Sequence, residues 1–220
     1  MRTAQYILKF KHDVDFDEEN YIVADSNRDA FAWIERWPNW GDGIYSNVAC
    51  IFGEKVSGKT YLTKIWQSKS SAVILKKDDI LSNSYQNHSA YILENIEEFS
   101  ANQRELFYFL DHVINTKKFL LITSSSAVYR KSFSLSDLQS RLNSFLAIEI
   151  KNPDEEMIRK ILVKYFSDRQ IIVSDRAIAY LVKRIERSYE KIASIVNTLD
   201  NTSLLEQRQI SIGLIKSMGI

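Results

Sequence analysis

Long apolar runs, cysteines and net charge are all scarce in this chain, and each scarcity excludes a class of protein. No stretch approaches the roughly 18 consecutive apolar residues of a membrane-spanning helix, and charged residues stand where a signal peptide has its apolar core. The single cysteine, Cys50, excludes an internal disulfide and sits in an apolar segment that predicts a buried strand. With 29 basic and 28 acidic side chains, charge gives no general bias toward nucleic acid or acidic lipid. These absences predict a cytoplasmic globular protein without a membrane partner.

Apolar segments of strand length alternate with helical patterns in the middle of the 220-residue chain. Residues 1–20 have no helical period and are predicted to form an extended arm. Ser26, three residues before Asp29, predicts a capped helix that ends before Pro38. Buried strands separated by helices favour a parallel sheet with helices on both faces. The strands are predicted at 47–52, 71–76, 89–94, 118–123 and 145–150, and further helices at 60–67 and 103–116.

From Pro153 onward only helical periodicity remains. Pro153 in a first turn, followed by the acidic residues 154–156, predicts one helix. Ser174 caps a second helix, and a third runs through residues 192–199. The predicted divisions are an N-terminal arm at 1–20, an α/β core at 21–151 and a small three-helix lid at 152–220.

Glycine is also rare, and two of the six glycines fall at the fixed positions of a phosphate-binding pattern. Residues 53–60 fit G-x-x-x-x-G-K-[ST], and they lie between a predicted strand and a predicted helix. In such a loop, backbone N–H groups surround the β-phosphate, Lys59 contacts the β- and γ-phosphates, and the Thr60 hydroxyl binds Mg²⁺. The alternative is a tight glycine turn with an exposed lysine. The residues predicted to bind ADP or ATP here are Gly53, Val56, Ser57, Gly58, Lys59, Thr60 and Tyr61.

The predicted strand at 89–94 ends where P-loop ATPases carry two acids, one for the metal and one to polarise water. Glu94 can serve Mg²⁺ through water, but Asn95 cannot accept a proton, so slow intrinsic ATP turnover is expected. Thr123 ends the next strand at the same sheet edge, and its hydroxyl can contact the γ-phosphate or the attacking water. An exposed carboxylate at Glu94 and an ordinary strand-end hydroxyl at Thr123 are the alternatives.

Three further features accompany the P-loop: the segment Glu94-Asn95-Ile96-Glu97, the segment Asp137-Leu138-Gln139-Ser140-Arg141-Leu142, and the helical lid. Together these features resemble the AAA+ domain of the DnaA replication initiators and, more closely, the Hda family of DnaA-related regulatory inactivators. The resemblance implies an AAA+ P-loop fold and an ADP- or ATP-binding regulator of chromosomal replication initiation. It further implies that this regulator promotes hydrolysis of DnaA-bound ATP when docked on the DNA-loaded sliding clamp.

The resemblance also carries over individual residues. Arg141 matches the arginine finger that acts in trans on a neighbouring subunit's nucleotide, the alternative being a surface arginine paired with Asp137. The lid's sensor arginine does not carry over, because Glu190 stands at its position; Arg187, one turn earlier on the helix, is the candidate to reach the phosphates instead, and whether it replaces the sensor arginine stays open. A glutamate close to a γ-phosphate is expected to favour ADP over ATP. Gln5, Leu8 and Phe10 match the clamp-binding peptide, the alternative being a first strand or a frayed tail.

The expected partners are therefore the DnaA replication initiator and the DNA polymerase sliding clamp, and a homodimer stays open. The sequence ends at Ile220 without the helix-turn-helix domain of DnaA, so no sequence-specific DNA binding is expected. In this interpretation the protein activates the ATPase of its partner. The alternatives are an autonomous ATPase of the DnaA or helicase-loader kind, and a P-loop domain that holds nucleotide only for stability.

Overall fold

The computed structural model describes Phe16, residues 18–127 and residues 133–220, and a five-stranded parallel sheet lies at its centre. The strand order is β2-β3-β4-β1-β5. The prediction of a parallel sheet is confirmed, although the edge strand β2 has only two paired residues. The strands are β1 (Val48–Phe52), β2 (Val73–Ile74), β3 (Ala90–Leu93), β4 (Phe119–Ser124) and β5 (Leu146–Glu149).

Helices connect and follow these strands. The described residues also contain two short 3₁₀ helices, Glu18–Asn20 and Ile96–Phe99. The first lies in the arm at 1–20, so the described end of this arm contains a helical turn, although the arm was predicted to be extended. In the described residues before Pro153, the α-helices are α1 (Arg28–Glu35), α2 (Lys59–Ser70), α3 (Lys77–Leu81), α4 (Gln103–Asn115) and α5 (Ser136–Asn143). The C-terminal helical segment contains α6 (Glu155–Asp168), α7 (Asp175–Val182), α8 (Tyr189–Glu206) and α9 (Ile212–Ser217).

Side chains of β1 alternate between two apolar layers. Val48 and Cys50 pack with the layer that contains α4, whereas Ala49 and Ile51 pack with the layer that contains α1 and α2. The prediction of helices on both faces is therefore confirmed. Cys50 is fully buried, as predicted, and burial raises the pKa of its thiol to about 12.

The C-terminal helical segment belongs to the same apolar layer as α2. Met157 and Ile161 of α6 and Ile192 of α8 are buried in one cluster with Leu62 and Trp66 of α2. Because α2 follows the glycine-rich loop, this packing places the helical segment beside that loop. The segment has a fourth helix, α9, which was not predicted because six residues are too short to show a helical period.

Two helix starts differ from the prediction. The Ser26 hydroxyl does not cap α1, because it lies 3.0 Å from the hydroxyl of Tyr189, a contact 163 positions away in sequence. Helix α6 begins two residues after Pro153, since Asp154 is its cap and its side chain accepts a hydrogen bond from Met157 N at 2.7 Å. The predicted cap at Ser174 is confirmed.

None of the helices in the described ranges combines the length and the apolar character needed to span a bilayer.

Candidate functional site

The glycine-rich loop connects β1 to α2 and approaches the neighbouring chain closely. Gly53 N donates to the carbonyl of Ser124 on β4 at 3.3 Å, and a side chain at Gly53 would come within 2.8 Å of Ile150 O. Gly58 has φ +95°, a conformation that favours glycine, and Val56 adopts φ 64°, which is rare for a β-branched residue. The two glycines of the sequence pattern therefore stand at positions where the backbone geometry requires glycine.

Lys59 holds the loop together from the first position of α2. Its Nζ donates to the carbonyl oxygens of Gly53 at 2.7 Å and Glu54 at 2.6 Å. Burial lowers the pKa of this ammonium, and the nearby carboxylates of Glu97 and Glu54 partly offset that effect. The Ser57 hydroxyl is buried and has no hydrogen-bond partner among the described residues. A cation and an unpartnered hydroxyl at the start of a 12-residue helix can together hold a phosphate group.

Glu94 lies over the first turns of α2, directly after the end of β3. The Thr63 hydroxyl donates to Glu94 Oε1 at 2.8 Å and is 3.0 Å from the carbonyl of Thr60. The Thr60 side chain is exposed. Thr63, which sequence reasoning missed, thus holds the Glu94 carboxylate beside the first turn of α2, the turn that contains Thr60.

A hydrogen bond joins Asn95 to Thr123 across the ends of β3 and β4. Asn95 N donates to Thr123 Oγ1 at 3.1 Å, and Asn95 adopts a left-handed conformation with φ 51°. Thr123 is buried, so its hydroxyl connects the two strand ends, while Asn95 is exposed and its amide lies 3.4 Å from Glu98 Oε1.

Glu97 is a site residue to which the sequence assigned no role. The 3₁₀ helix after Asn95 returns its side chain to the end of β4, where it accepts from Ser124 Oγ (2.9 Å), Ser125 N (2.5 Å) and Ser125 Oγ (2.6 Å). Burial alone would raise the pKa of this carboxyl, but the hydrogen bonds from the two serines outweigh it and lower the pKa to about 2.

Replacing Glu97 with glutamine should reduce the dependence of stability on acid pH. A carboxyl with a folded-state pKa of about 2 and an ordinary value of 4.5 stabilises the fold above pH 4.5, and this contribution is lost as the pH falls toward 2. We expect the free energy of unfolding of wild type to drop by about 1 kcal/mol more than that of Glu97→Gln over this window, since solvent screens a half-exposed group. Urea unfolding at pH 6 and pH 2.5 measures the difference, and parallel curves for both proteins would contradict it.

An aromatic cleft of about 100 Å³ lies between the glycine-rich loop and the C-terminal helical segment. The Tyr21 ring would be 3.4 Å from a side chain at Gly58, and it packs against Tyr61 with ring centroids 5.2 Å apart. Tyr189 joins the two sides, since its backbone N donates to Glu54 Oε2 at 3.2 Å. Sequence reasoning missed most of this lining, because the residues come from distant segments. They include Asn20, Tyr21, Ile22, Asn27, Met157, Ile161, Lys164, Tyr165 and Tyr189.

Arg141 lies on α5 and forms an ion pair within the chain. Its NH1 is 3.1 Å from Asp111 Oδ1 of α4, and its guanidinium stands 5.5 Å from the centre of the Phe107 ring. About a fifth of the Arg141 side chain, 21%, is exposed. The partner is therefore Asp111 and not Asp137, the residue that helical spacing indicated, and this ion pair competes with any contact that Arg141 makes to another molecule.

Arg187 and Glu190 both lie on the surface around the start of α8. Arg187 NH2 is 3.3 Å from Glu155 Oε1, with both side chains largely exposed, and Glu190 is exposed as well. The residue of this region that contacts the glycine-rich loop is Tyr189. Gln5, Leu8 and Phe10 lie outside the described residues.

Comparisons with known proteins agree with this architecture. The family model of the Hda lid domain matches residues 154–218. The DnaA initiator of Buchnera aphidicola subsp. Cinara cedri is 23% identical over 242 residues, which cover 99% of this chain and 55% of that protein. Domain III of Thermotoga maritima DnaA superposes with a TM-score of 0.73 at 16% identity, covering 93% of this chain and 97% of that one. AMPPCP-bound DnaA from Aquifex aeolicus superposes with a TM-score of 0.67 at 19% identity, covering 83% of this chain and 64% of that one.

The parallel sheet, the loop between β1 and α2 and the helical segment define an α/β protein of the AAA+ P-loop class. Within that class, the lid match and the DnaA relatives make the chain an Hda-like, DnaA-related AAA+ protein. It spans about half the length of most of the curated DnaA relatives that it matches.

Proposed function

We propose that this protein binds an adenine nucleotide at its P-loop and regulates replication initiation by promoting hydrolysis of DnaA-bound ATP. The P-loop carries the proposal, because Lys59 Nζ lies against the Gly53 and Glu54 carbonyls at the start of α2, and the buried Ser57 hydroxyl of the same loop has no hydrogen-bond partner among the described residues. The AMPPCP-bound state of the Aquifex aeolicus relative supports a nucleotide as the ligand. The aromatic cleft beside Gly58 is the place for the base, since aromatic rings offer it apolar faces.

The residues after β3 fit a role in Mg²⁺ binding. Mg²⁺ in phosphate sites is commonly held by one or two carboxylates, phosphate oxygens and water, and Glu94 with the Thr60 hydroxyl supplies suitable donors. The ion would neutralise charge on the phosphates. Asn95 lacks a carboxylate to polarise water, so we propose that the protein's own turnover is slow and that its effect is on the partner.

Two further residue sets complete the proposal. Arg141 would act as an arginine finger in trans, which requires exchange of Asp111 for the nucleotide of DnaA. Gln5, Leu8 and Phe10 would bind the sliding clamp, as an extended peptide with a polar and two apolar anchors. In this proposal the arm at 1–20 carries the clamp-binding residues, the core at 21–151 carries the P-loop and Arg141, and the lid at 152–220 packs beside the P-loop.

Hydrolysis of radiolabelled ATP on the cognate DnaA, with clamp-loaded DNA and this protein, tests the proposal. We expect acceleration that is lost in Gln5→Ala and absent without the clamp. No acceleration by wild type would contradict the regulatory role. Steady-state ATPase of the isolated protein is measured alongside, because turnover of about 1 s⁻¹ or more would favour an autonomous ATPase of the DnaA or helicase-loader kind.

A further inference from the structure

Thr63 carries a buried hydroxyl in α2 whose hydrogen-bond partner lies on another element. Its side chain is as inaccessible to solvent as that of its apolar neighbour Leu62. A buried hydroxyl needs an acceptor, and two oxygens are within reach: the Thr60 carbonyl at 3.0 Å and Glu94 Oε1 at 2.8 Å. A hydroxyl has one hydrogen to donate, and the charged carboxylate is the stronger acceptor. The bond to Glu94 therefore determines how this hydroxyl is used.

Glu94 has a carboxylate that needs such a partner. The residue follows the last residue of β3 and is half-buried. A glutamate side chain has three rotatable bonds, so its carboxylate is mobile unless a neighbouring group holds it. In the part of the chain that the structure describes, Thr63 is the hydrogen-bond partner of this carboxylate, and the contact uses only Oε1. The bond thus fixes the carboxylate and does not engage its second oxygen, Oε2.

Helix α2 connects this bond to the P-loop. The helix begins at Lys59, whose Nζ is bonded to the Gly53 and Glu54 carbonyls, and Thr63 lies about one turn further along. Because one turn of a helix is rigid, the Thr63 hydroxyl holds the carboxylate at a fixed place relative to the start of α2. That helix start is the end to which the proposed nucleotide binding assigns the phosphates.

We propose that Thr63 is a positioning residue for a divalent cation, because its hydroxyl fixes the carboxylate of Glu94 beside the first turn of α2. A carboxylate together with phosphate oxygens and water is the ligand set that Mg²⁺ takes in phosphate sites. Groups that hold a metal ligand by a hydrogen bond contribute strongly to metal affinity. The inference rests on the proposed nucleotide binding, and it gives a role in metal binding to a residue outside the loop pattern at 53–60.

Equilibrium titration with ADP over a series of Mg²⁺ concentrations, and in EDTA, tests the inference on wild type, Thr63→Val and Thr63→Ser. Valine keeps the shape of threonine without the hydroxyl, whereas serine keeps the hydroxyl without the methyl group. Mg²⁺ is expected to tighten ADP binding by wild type at least about tenfold, an ordinary coupling between two ligands. The Mg²⁺ concentration that gives half of this effect should rise about tenfold in Thr63→Val, the usual cost of losing a group that orients a metal ligand. Thr63→Ser should stay close to wild type.

Two controls separate positioning from a general effect on the fold. The ADP affinity in EDTA should be the same in wild type, Thr63→Val and Thr63→Ser, because the hydroxyl acts through the cation. Glu94→Gln should raise the Mg²⁺ requirement, and adding Thr63→Val to it should cause no further rise, since the two residues act as one unit. Thr63→Ala takes the place of the valine variant if that variant does not fold.

An unchanged Mg²⁺ requirement in Thr63→Val overturns the inference, and so does a further rise in the double variant. ADP binding by wild type that Mg²⁺ does not tighten overturns it as well and leaves the nucleotide site standing. Failure of wild type to bind ADP, with or without Mg²⁺, would instead remove the proposed nucleotide function, so the two failures are distinguishable.

Discussion

Replacing Lys59 with alanine is expected to weaken ADP binding by at least about 100-fold, which corresponds to about 3 kcal/mol. The variant loses charge-assisted hydrogen bonds to phosphate, each worth about 1.5–3 kcal/mol. Before a nucleotide binds, Nζ is hydrogen-bonded to the Gly53 and Glu54 carbonyls, so the expected loss is the net value after these bonds are exchanged for bonds to phosphate. Titration calorimetry with ADP measures the change.

Lys55→Ala is the matched control for Lys59→Ala. Lys55 belongs to the same loop and carries the same charge, but it is exposed. Its replacement should change the ADP dissociation constant by less than about threefold, the effect of one screened surface charge. Equal losses in the two variants would mean that net charge, and not the position of Lys59, determines binding.

Replacing Arg141 with alanine should slow the stimulated hydrolysis of DnaA-bound ATP by about 10³-fold, the effect of losing an arginine finger. Arg141→Lys should recover little of this rate, since an ammonium lacks the planar set of donors. Single-turnover hydrolysis on clamp-loaded DNA measures the rates. A stimulated rate in Arg141→Ala within about threefold of wild type would assign the function of this residue to its pair with Asp111 and to folding.

Two aspartates provide the control for Arg141. Asp111→Asn removes the ion partner in the structure and should raise the stimulated rate up to about fivefold, because a partly exposed ion pair is worth no more than about 1 kcal/mol. Asp137→Asn removes the partner that helical spacing indicated and should leave the rate unchanged. The opposite ranking would contradict the observed pairing.

The features that were predicted correctly depend on local sequence. Gly53 and Gly58 are recognisable because backbone geometry requires them at a fixed spacing, and the strands are recognisable because buried parallel strands are continuously apolar. The parallel sheet, the helices on both faces and the helical C-terminal segment were predicted in this way. Short elements such as β2 and α9 are set by tertiary contacts and give weak periodic signals.

The features that were missed depend on contacts between distant segments. Ser26 was predicted as a cap, but the hydroxyl of Tyr189 is its partner in the fold. Asp111 lies 30 positions before Arg141, too far for a helical-spacing argument. Glu97 gave no local signal, because the 3₁₀ turn that returns its side chain to the strand ends is visible only in the fold.

The contact between Glu54 and Tyr189 has a kinetic consequence. The backbone carbonyl of Glu54 accepts a hydrogen bond from Lys59 Nζ, and its carboxylate accepts one from Tyr189 N. One loop residue is therefore hydrogen-bonded both to the lysine of the P-loop and to the first turn of α8. A phosphate bound by Lys59 would compete with the Glu54 carbonyl for Nζ, and the same residue holds the first turn of α8. We therefore expect the rate of nucleotide dissociation to depend on the contact between Glu54 and Tyr189, so that loosening α8 shortens the lifetime of the bound nucleotide.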